Sequence, residues 1–272
     1  MSIDKHLFQE ALQANDLPIW ECPYCEKAPL KLPKGGITIN ETPTTLYFRD
    51  HPDHEPEWDK GFFTGKLICS NSQCNEIIYV NGEAEISVDG VFDLPEAEGG
   101  DSGPVYTYGW YLKPKHFSSP INVIKIHRYY PKIIFPFLLK SFSLLWVDSA
   151  SCANKIRTVV EKILDDRKIK KYTIKDGKRK PIALHHRIDL FRKVNPEAGH
   201  FFEAVKWIGN MGSHSDDSKL TRADLLAAFE MVEHTLELIY NIRSKELKKI
   251  ATAIIKRKGP VPKKKIIYNN RF

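Results

Sequence analysis

No stretch of this 272-residue chain approaches the roughly 18 consecutive apolar residues of a membrane span. The most apolar run, residues 133–147, is interrupted by Pro136, Lys140 and serines, and reads as a buried helical segment of a soluble protein. No secretory leader is expected either. The opening residues, IDKHLFQEALQAND, carry an amphipathic helix pattern over 3–14 instead of a basic start, an apolar run and a small-residue cleavage site. A cytoplasmic location without membrane contact is therefore expected. Cysteine is sparse, with five in the whole chain, and a reducing compartment argues against using them as a disulfide framework. Internal repeats are absent. Positive charge is scarce in the first 100 residues, which hold 7 Lys/Arg against 18 Asp/Glu, a net of −11.

What is there is the opposite charge in the remainder. Residues 101–272 hold 34 Lys/Arg against 16 Asp/Glu, a net of +18, which the overall value of +7 conceals. Clustered Lys and Arg release counterions from a phosphate backbone, so the second half is a candidate for nucleic-acid contact. The bland alternative is a solvated surface and mutual attraction of the two halves. Lys168, Lys170, Lys171, Lys178, Arg179 and Lys180 are the best contact candidates, followed by the basic clusters at 256–258 and 263–265.

Strand signals dominate the first half: 38–40, 45–49, 62–68, 76–80 and 84–88, with Asn81-Gly82 as a hairpin turn. The Gly-rich acidic stretch 95–103 reads as an exposed loop. Residues 105–112 and 121–126 supply either further strands or an extended strap. From about Tyr130 the period becomes helical. Ala153, Ile156, Val160 and Ile163/Leu164 mark one helix with Asp148 or Ser149 in N-cap reach. A basic connector, RKIKKYTIKDGKRKP, separates it from helices at LHHRIDLFRKV, GHFFEAVKWIGNMGSH and a long one opened by Thr221 or Ser218. The terminal KRKGPVPKKKIIYNNRF reads as a flexible tail.

Cys22-Pro-Tyr-Cys25 and Cys69-Ser-Asn-Ser-Gln-Cys74 each present two thiols on a short turn next to strand-like sequence. Two such pairs brought together by strands build a tetrahedral four-thiolate site, and that is the expected arrangement, with Zn2+ as a structural ion. Three rivals stand beside it. CPYC is also the active-site tetrapeptide of glutaredoxins, although Pro29 and Pro33 disfavour the helix which that chemistry needs. Disulfides are the second. The third uses donors from Asp50-His51-Pro-Asp53-His54-Glu55. Cys152 falls on a helical apolar face and reads as a buried, inert thiol.

Residues 206–214, KWIGNMGSH, read as a helix C-terminus where glycines permit a sharp turn before His214. Together with Pro131, the Arg157-to-Glu161 segment ahead of Ile163-Leu164 and the Leu190 helix, this Ile208-Gly209-Asn210-x-x-x-His214 block resembles a bacterial domain of unknown function, number four-one-four-five. That family is similar to the HEPN superfamily of helical bundles, and the likeness covers about 128–242, somewhat under half of the chain. The resemblance implies an all-α bundle, a setting in restriction or antiviral defence, and pairing into homodimers, for which Phe229, Val232, Leu236 and Ile239 offer a face that would equally serve the monomer's own core. Many HEPN proteins are metal-independent ribonucleases in which an Arg and a His act at the 2′-hydroxyl and the phosphorane. Carried over here, the catalytic candidates are His214, Asn210 and Arg157. Gly209 stands where the arginine normally stands, so Arg157 must replace it, and Arg157 and Glu161 one turn apart equally form a plain salt bridge.

The expectation is an α+β chain: a β-rich four-cysteine zinc ribbon over 1–94, a linker or extended strap over 95–127, an all-α HEPN-like domain over 128–252, and a basic tail over 253–272. Nucleic-acid binding without catalysis is the leading functional expectation. A homodimeric ribonuclease and an adaptor whose acidic ribbon recruits a protein partner are the alternatives.

Overall fold

The structure, a computed structural model, describes residues 3–93, 104–212 and 220–260. It is α+β: a curled antiparallel sheet carrying the four cysteines, followed by helices.

After a single 3-10 turn at Lys5–Phe8, the sheet strands are β1 (Leu12–Gln13), β2 (Leu30–Lys31), β3 (Ile37–Glu41), β4 (Lys60–Cys69), β5 (Ile77–Asp93) and β6 (Pro104–Phe117). Their order is β1-β6-β5-β4-β2, with β3 on the same edge of β4 as β2. Alternation along β4 buries Gly61, Phe63, Gly65, Leu67 and Cys69 on one face, so the period-2 pattern that builds the core also turns the last residue, a cysteine, inward. Beyond Glu85, which faces Lys60 of β4, β5 pairs only with β6. Val91, Phe92, Val105 and Tyr106 are exposed on this two-stranded ribbon.

Four sequence expectations are corrected here. Residues 3–14 form the 3-10 turn and β1, not a helix, because Leu12 and Gln13 pair with β6. Residues 45–49 fall in helix α1 (Pro43–Phe48) and its C-cap instead of a strand, since Thr42 caps the Thr45 N–H and Pro43 starts the first turn. Asn81-Gly82 is no hairpin turn; it is a register shift inside the continuous 17-residue β5. The basic connector is itself a hairpin, β7 (Tyr172–Lys175) with β8 (Lys178–Pro181). Of the stretches left open between strand and strap, the first belongs to β6, and 121–126 is a strap that buries Ile121, Val123 and Ile124.

The helical part contains α2 (Phe135–Leu144), α3 (Ser149–Asp166), α4 (Leu184–Arg192), α5 (Pro196–Met211), α6 (Arg222–Tyr240) and α7 (Ile242–Arg257). Asp148 caps α3 through the N–H groups of Ala150 and Ser151, and Thr221 with Asp224 forms a capping box on α6. α3 is central, packing against α2, α4, α5 and α6. The expected long final helix breaks at Asn241, whose extended backbone and side-chain bond to the Ser244 N–H start α7 afresh. Phe229, Val232, Leu236 and Ile239 are buried in the chain's own core.

The two parts share one apolar core. Trp146 at the end of α2 meets Phe8, Trp20 and Phe117 of the β part, with centroids 6.0, 6.2 and 5.0 Å away. The guanidinium of Arg222 lies 5.1 Å from the Trp146 ring and donates to the carbonyls of Phe8 and Gln9. No helix among the described residues is long and apolar enough to cross a membrane.

Candidate metal centre

Each cysteine pair sits on a β-turn knuckle, and the two knuckles repeat one backbone pattern. In the first, the Cys22 N–H bonds the Ala28 carbonyl, and the Glu26 N–H returns to the Cys22 carbonyl. In the second, the Cys69 N–H bonds the Glu76 carbonyl, and the N–H groups of Cys74 and Asn75 return to the Asn71 carbonyl. The residue after the second cysteine is left-handed in both, with φ of 49° at Glu26 and at Asn75. That conformation is the one a turn glycine would adopt most easily. Pairing of Leu30 with Cys69 across β2 and β4 brings the knuckles together.

The four sulfurs lie within 4.8 Å of one another. Cys22 Sγ is 3.9 Å from Cys74 Sγ, and Cys25 Sγ is 3.6 Å from Cys69 Sγ. A tetrahedron of thiolates about 2.3 Å from a central ion has edges of about 3.8 Å, so the spacing fits a metal site. It does not fit a disulfide, whose sulfurs stand about 2.05 Å apart, and all five cysteines are free. Cys22 and Cys69 are buried, while Cys25 and Cys74 are half-buried. Four thiolates fill a tetrahedral shell, which leaves no position for substrate.

Without an ion the cluster is electrostatically uneven. Burial pushes the Cys69 thiol up to about 12. Burial also raises the Cys25 thiol, but the Lys27 N–H, hydrogen bonds with Cys69 and Cys22, and Asn71 outweigh it and hold that thiol at about 7. A divalent cation placed among the sulfurs favours the thiolate form of all four.

The rivals fare differently. Cys22 lies on a β-turn and not at a helix N-terminus, so the glutaredoxin arrangement is absent. His54 is paired with Asp59 at 2.9 Å, and the 50–55 string joins no cluster of metal-ligand spacing among the described residues. Cys152 is buried, bonds the Ser141 carbonyl and is pushed up by burial to about 12.

The basic candidates gather on the β7–β8 hairpin and its base. Asp176 and Gly177 both have positive φ, 56° and 69°, giving a two-residue type I′ turn whose Asp-Gly sequence was the signal for a hairpin. All eight strand residues are exposed. Lys171 pairs with Asp165 at 2.7 Å and Lys180 with Asp176 at 3.5 Å. Lys168, Lys170, Lys178 and Arg179 have no carboxylate partner among the described residues. The Arg179 guanidinium lies 3.8 Å from the Tyr172 ring centroid. Asp165 also takes a hydrogen bond from the buried Arg187 at 2.8 Å, which ties the hairpin base to α4.

Of the carried-over catalytic candidates, His214 lies outside the described residues. Arg157 on α3 packs against Gly209 of α5, stands 3.9 Å from Glu161, and keeps a buried Nε without a hydrogen-bond partner. Asn210 lines a separate cleft with His185, Arg192, Lys206 and Trp207.

Fold and site thus define a two-part α+β protein, a four-cysteine sheet followed by a helical domain. Residues 140–258 match the family described as Domain of unknown function (DUF4145), the one that the Arg157 and Gly209-Asn210 segments resemble. Residues 10–117 match a second, Domain of unknown function (DUF8608), which spans both cysteine pairs and β6. No curated protein and no solved structure matches the chain.

Proposed function

We propose that the chain is a zinc-stabilised nucleic-acid-binding protein whose phosphate contacts come from the β7–β8 hairpin. The observation that carries this reading is the hairpin itself, an exposed two-stranded ribbon with four cations at and near its base and tip that have no carboxylate partner among the described residues. A two-stranded ribbon is narrow enough for the major groove of a duplex, and its Arg179-Tyr172 pair offers a flat cation and a ring to an unpaired base. Zn2+ fits the cysteine site because a closed set of four thiolates suits an ion with no redox chemistry, and its role there is to hold the two knuckles. The exposed apolar ribbon of β5 and β6 supports recruitment of a protein partner by the acidic part. Thiolate ligands suit a reducing cytoplasm, and a restriction or antiviral setting follows from the resemblance alone. Titrating salt against binding of a labelled duplex and a labelled single strand tests the reading. Affinity should fall steeply between 50 and 200 mM salt, and affinity independent of salt overturns it.

A second reading is a homodimeric, metal-independent ribonuclease, favoured by the close approach of Arg157 to Gly209. Cleavage of labelled RNA in chelator, abolished by Arg157→Ala and His214→Ala, supports it; intact RNA at high protein concentration counts against it.

A further inference from the structure

α6 has an outer face that neither the cysteine site nor the basic hairpin uses. With strap residues Lys125, His127 and Tyr129 and with Phe201 of α5, this face walls a cleft of about 720 Å³. That volume lies within the range of small-molecule sites. Part of the wall is aromatic and apolar. Tyr129 stacks on His127 at 4.8 Å with rings 7° from parallel, Phe201 meets His234 edge-on at 4.9 Å, and Met231 and Ala227 complete the lining.

The rest of the wall is acidic. Glu230, Glu233 and Glu237 of α6 all line the cleft, three and four positions apart, which sets them about 4.5 and 6 Å apart along the helix axis. Each is held by a donor from another segment or the end of the helix. Glu230 accepts the Ile3 N–H at 2.8 Å and Glu233 the Lys125 N–H at 3.1 Å. Glu237 accepts the hydroxyls of Tyr129 and Tyr130 at 2.8 and 2.9 Å and the Asn241 amide at 2.7 Å, with His127 at 3.3 Å. Among the lining residues Lys125 is the only lysine or arginine, against three glutamates. The carboxylates are thus positioned in advance.

The chemistry of the walls selects the ligand. An anion is repelled. A neutral apolar molecule would strip water from carboxylates and return nothing to them. A single metal ion is also a poor match, because among the described residues only the cysteines bring ligand atoms to metal spacing. An elongated organic cation satisfies both walls, its charges meeting the carboxylates and its alkyl stem lying on the rings. We propose that this cleft binds a linear aliphatic polyamine with three- and four-carbon spacers, one ammonium to each glutamate. Such spacers, fully extended, separate nitrogens by about 5 and 6 Å from standard bond lengths, close to the offsets along α6.

Isothermal titration of the full chain with spermidine, 1,3-diaminopropane and N-acetyl-lysine amide at 150 mM salt tests it. Saturable one-site binding of spermidine is expected, at least tenfold tighter than that of either smaller amine. Glu230→Gln with Glu233→Gln keeps the acceptor oxygens that hold Ile3 and Lys125 and should weaken spermidine at least tenfold. Glu55→Gln with Glu57→Gln, the same charge change elsewhere, should leave it within twofold. Phe201→Leu, which alters the wall without touching charge, should weaken it at least threefold. No saturable binding, or equal losses in the two double variants, overturns the proposal. N-acetyl-lysine amide binding as tightly as spermidine overturns it in favour of a lysine side chain on a protein partner.

Discussion

A Cβ atom built on Gly209 of α5 falls 2.6 Å from the Cβ of Arg157 on α3, closer than packed carbons come. Gly209 is thus a packing requirement of the α3–α5 crossing. Arg157 reaches the same neighbourhood from the facing helix. Position 209 has no room for a longer side chain, so a charge at this place has to come from α3.

Substitution at 209 should therefore destabilise the chain. Gly209→Ala is expected to cost about 1–3 kcal/mol by overpacking, and Gly209→Arg more. For a chain of this size about 2–4 °C of melting temperature accompanies each kcal/mol. Calorimetry of the two variants checks this; an unchanged melting temperature for Gly209→Ala would show that α3 and α5 can separate freely.

The metal centre predicts one ion per chain. Elemental analysis of protein purified under reducing conditions should return close to one zinc, and Cys22→Ser, Cys25→Ser, Cys69→Ser or Cys74→Ser should each lose most of it. Because Cys22 and Cys69 are part of the shared core, the same variants should lower the melting temperature, as should a strong chelator. Metal-free protein with the melting temperature of the purified form would remove the structural role.

How far the residues announced all this depends on which signal was strong. Two thiol doublets beside strands were enough to anticipate the four-cysteine cluster, since backbone turns and β4 alternation bring the sulfurs together. The α3 and α6 caps were equally local, Asp148 and Thr221 being helix starters on their own. Residues 45–49 misled because Thr, Tyr and Phe favour strands, whereas the two residues before them, Thr42 and Pro43, fix a helix start. Asn81-Gly82 carries a strong turn signal that long-range pairing overrode: with β4 on one side and β6 on the other, an extended strand with a bulge satisfies more backbone groups than a hairpin there. The acidic cleft drew residues from the strap, α5 and α6, whose proximity no sequence period encodes.

Asp165 links the hairpin to the bundle and should show in acid. Burial pushes its carboxyl up, but Lys171 and Arg187 outweigh burial and hold it below the usual aspartate range. A depressed folded value means that its contribution is fully present above the unfolded value of about 3.9 and is lost as pH falls through the folded one. Asp165→Asn should cost about 2–3 kcal/mol at pH 7, because it leaves the buried Arg187 without its charge partner. It should also flatten the stability profile below about pH 4. Urea unfolding at pH 7 and along an acid series measures both, and parallel acid limbs for the two proteins would rule out the linkage.

The hairpin can be tested apart from the rest of the fold because its strand residues are exposed, and Lys168, Lys170, Lys178 and Arg179 are exposed with no carboxylate partner among the described residues. Each phosphate neutralised on a duplex contributes about −0.9 to the slope of log affinity against log salt, and about −0.7 on a single strand. Changing Lys168, Lys170, Lys178 and Arg179 together to Gln should then flatten the slope by roughly 3 to 4 units on a duplex if every one of them meets a phosphate. The melting temperature should stay within a degree or two, since surface changes away from packed features cost little. Changing Lys256, Arg257 and Lys258 on and just after the last turn of α7 gives the contrast, for these cations belong to another element. A slope that drops with the α7 set and holds with the hairpin set would move the contact from β7–β8 to the end of α7.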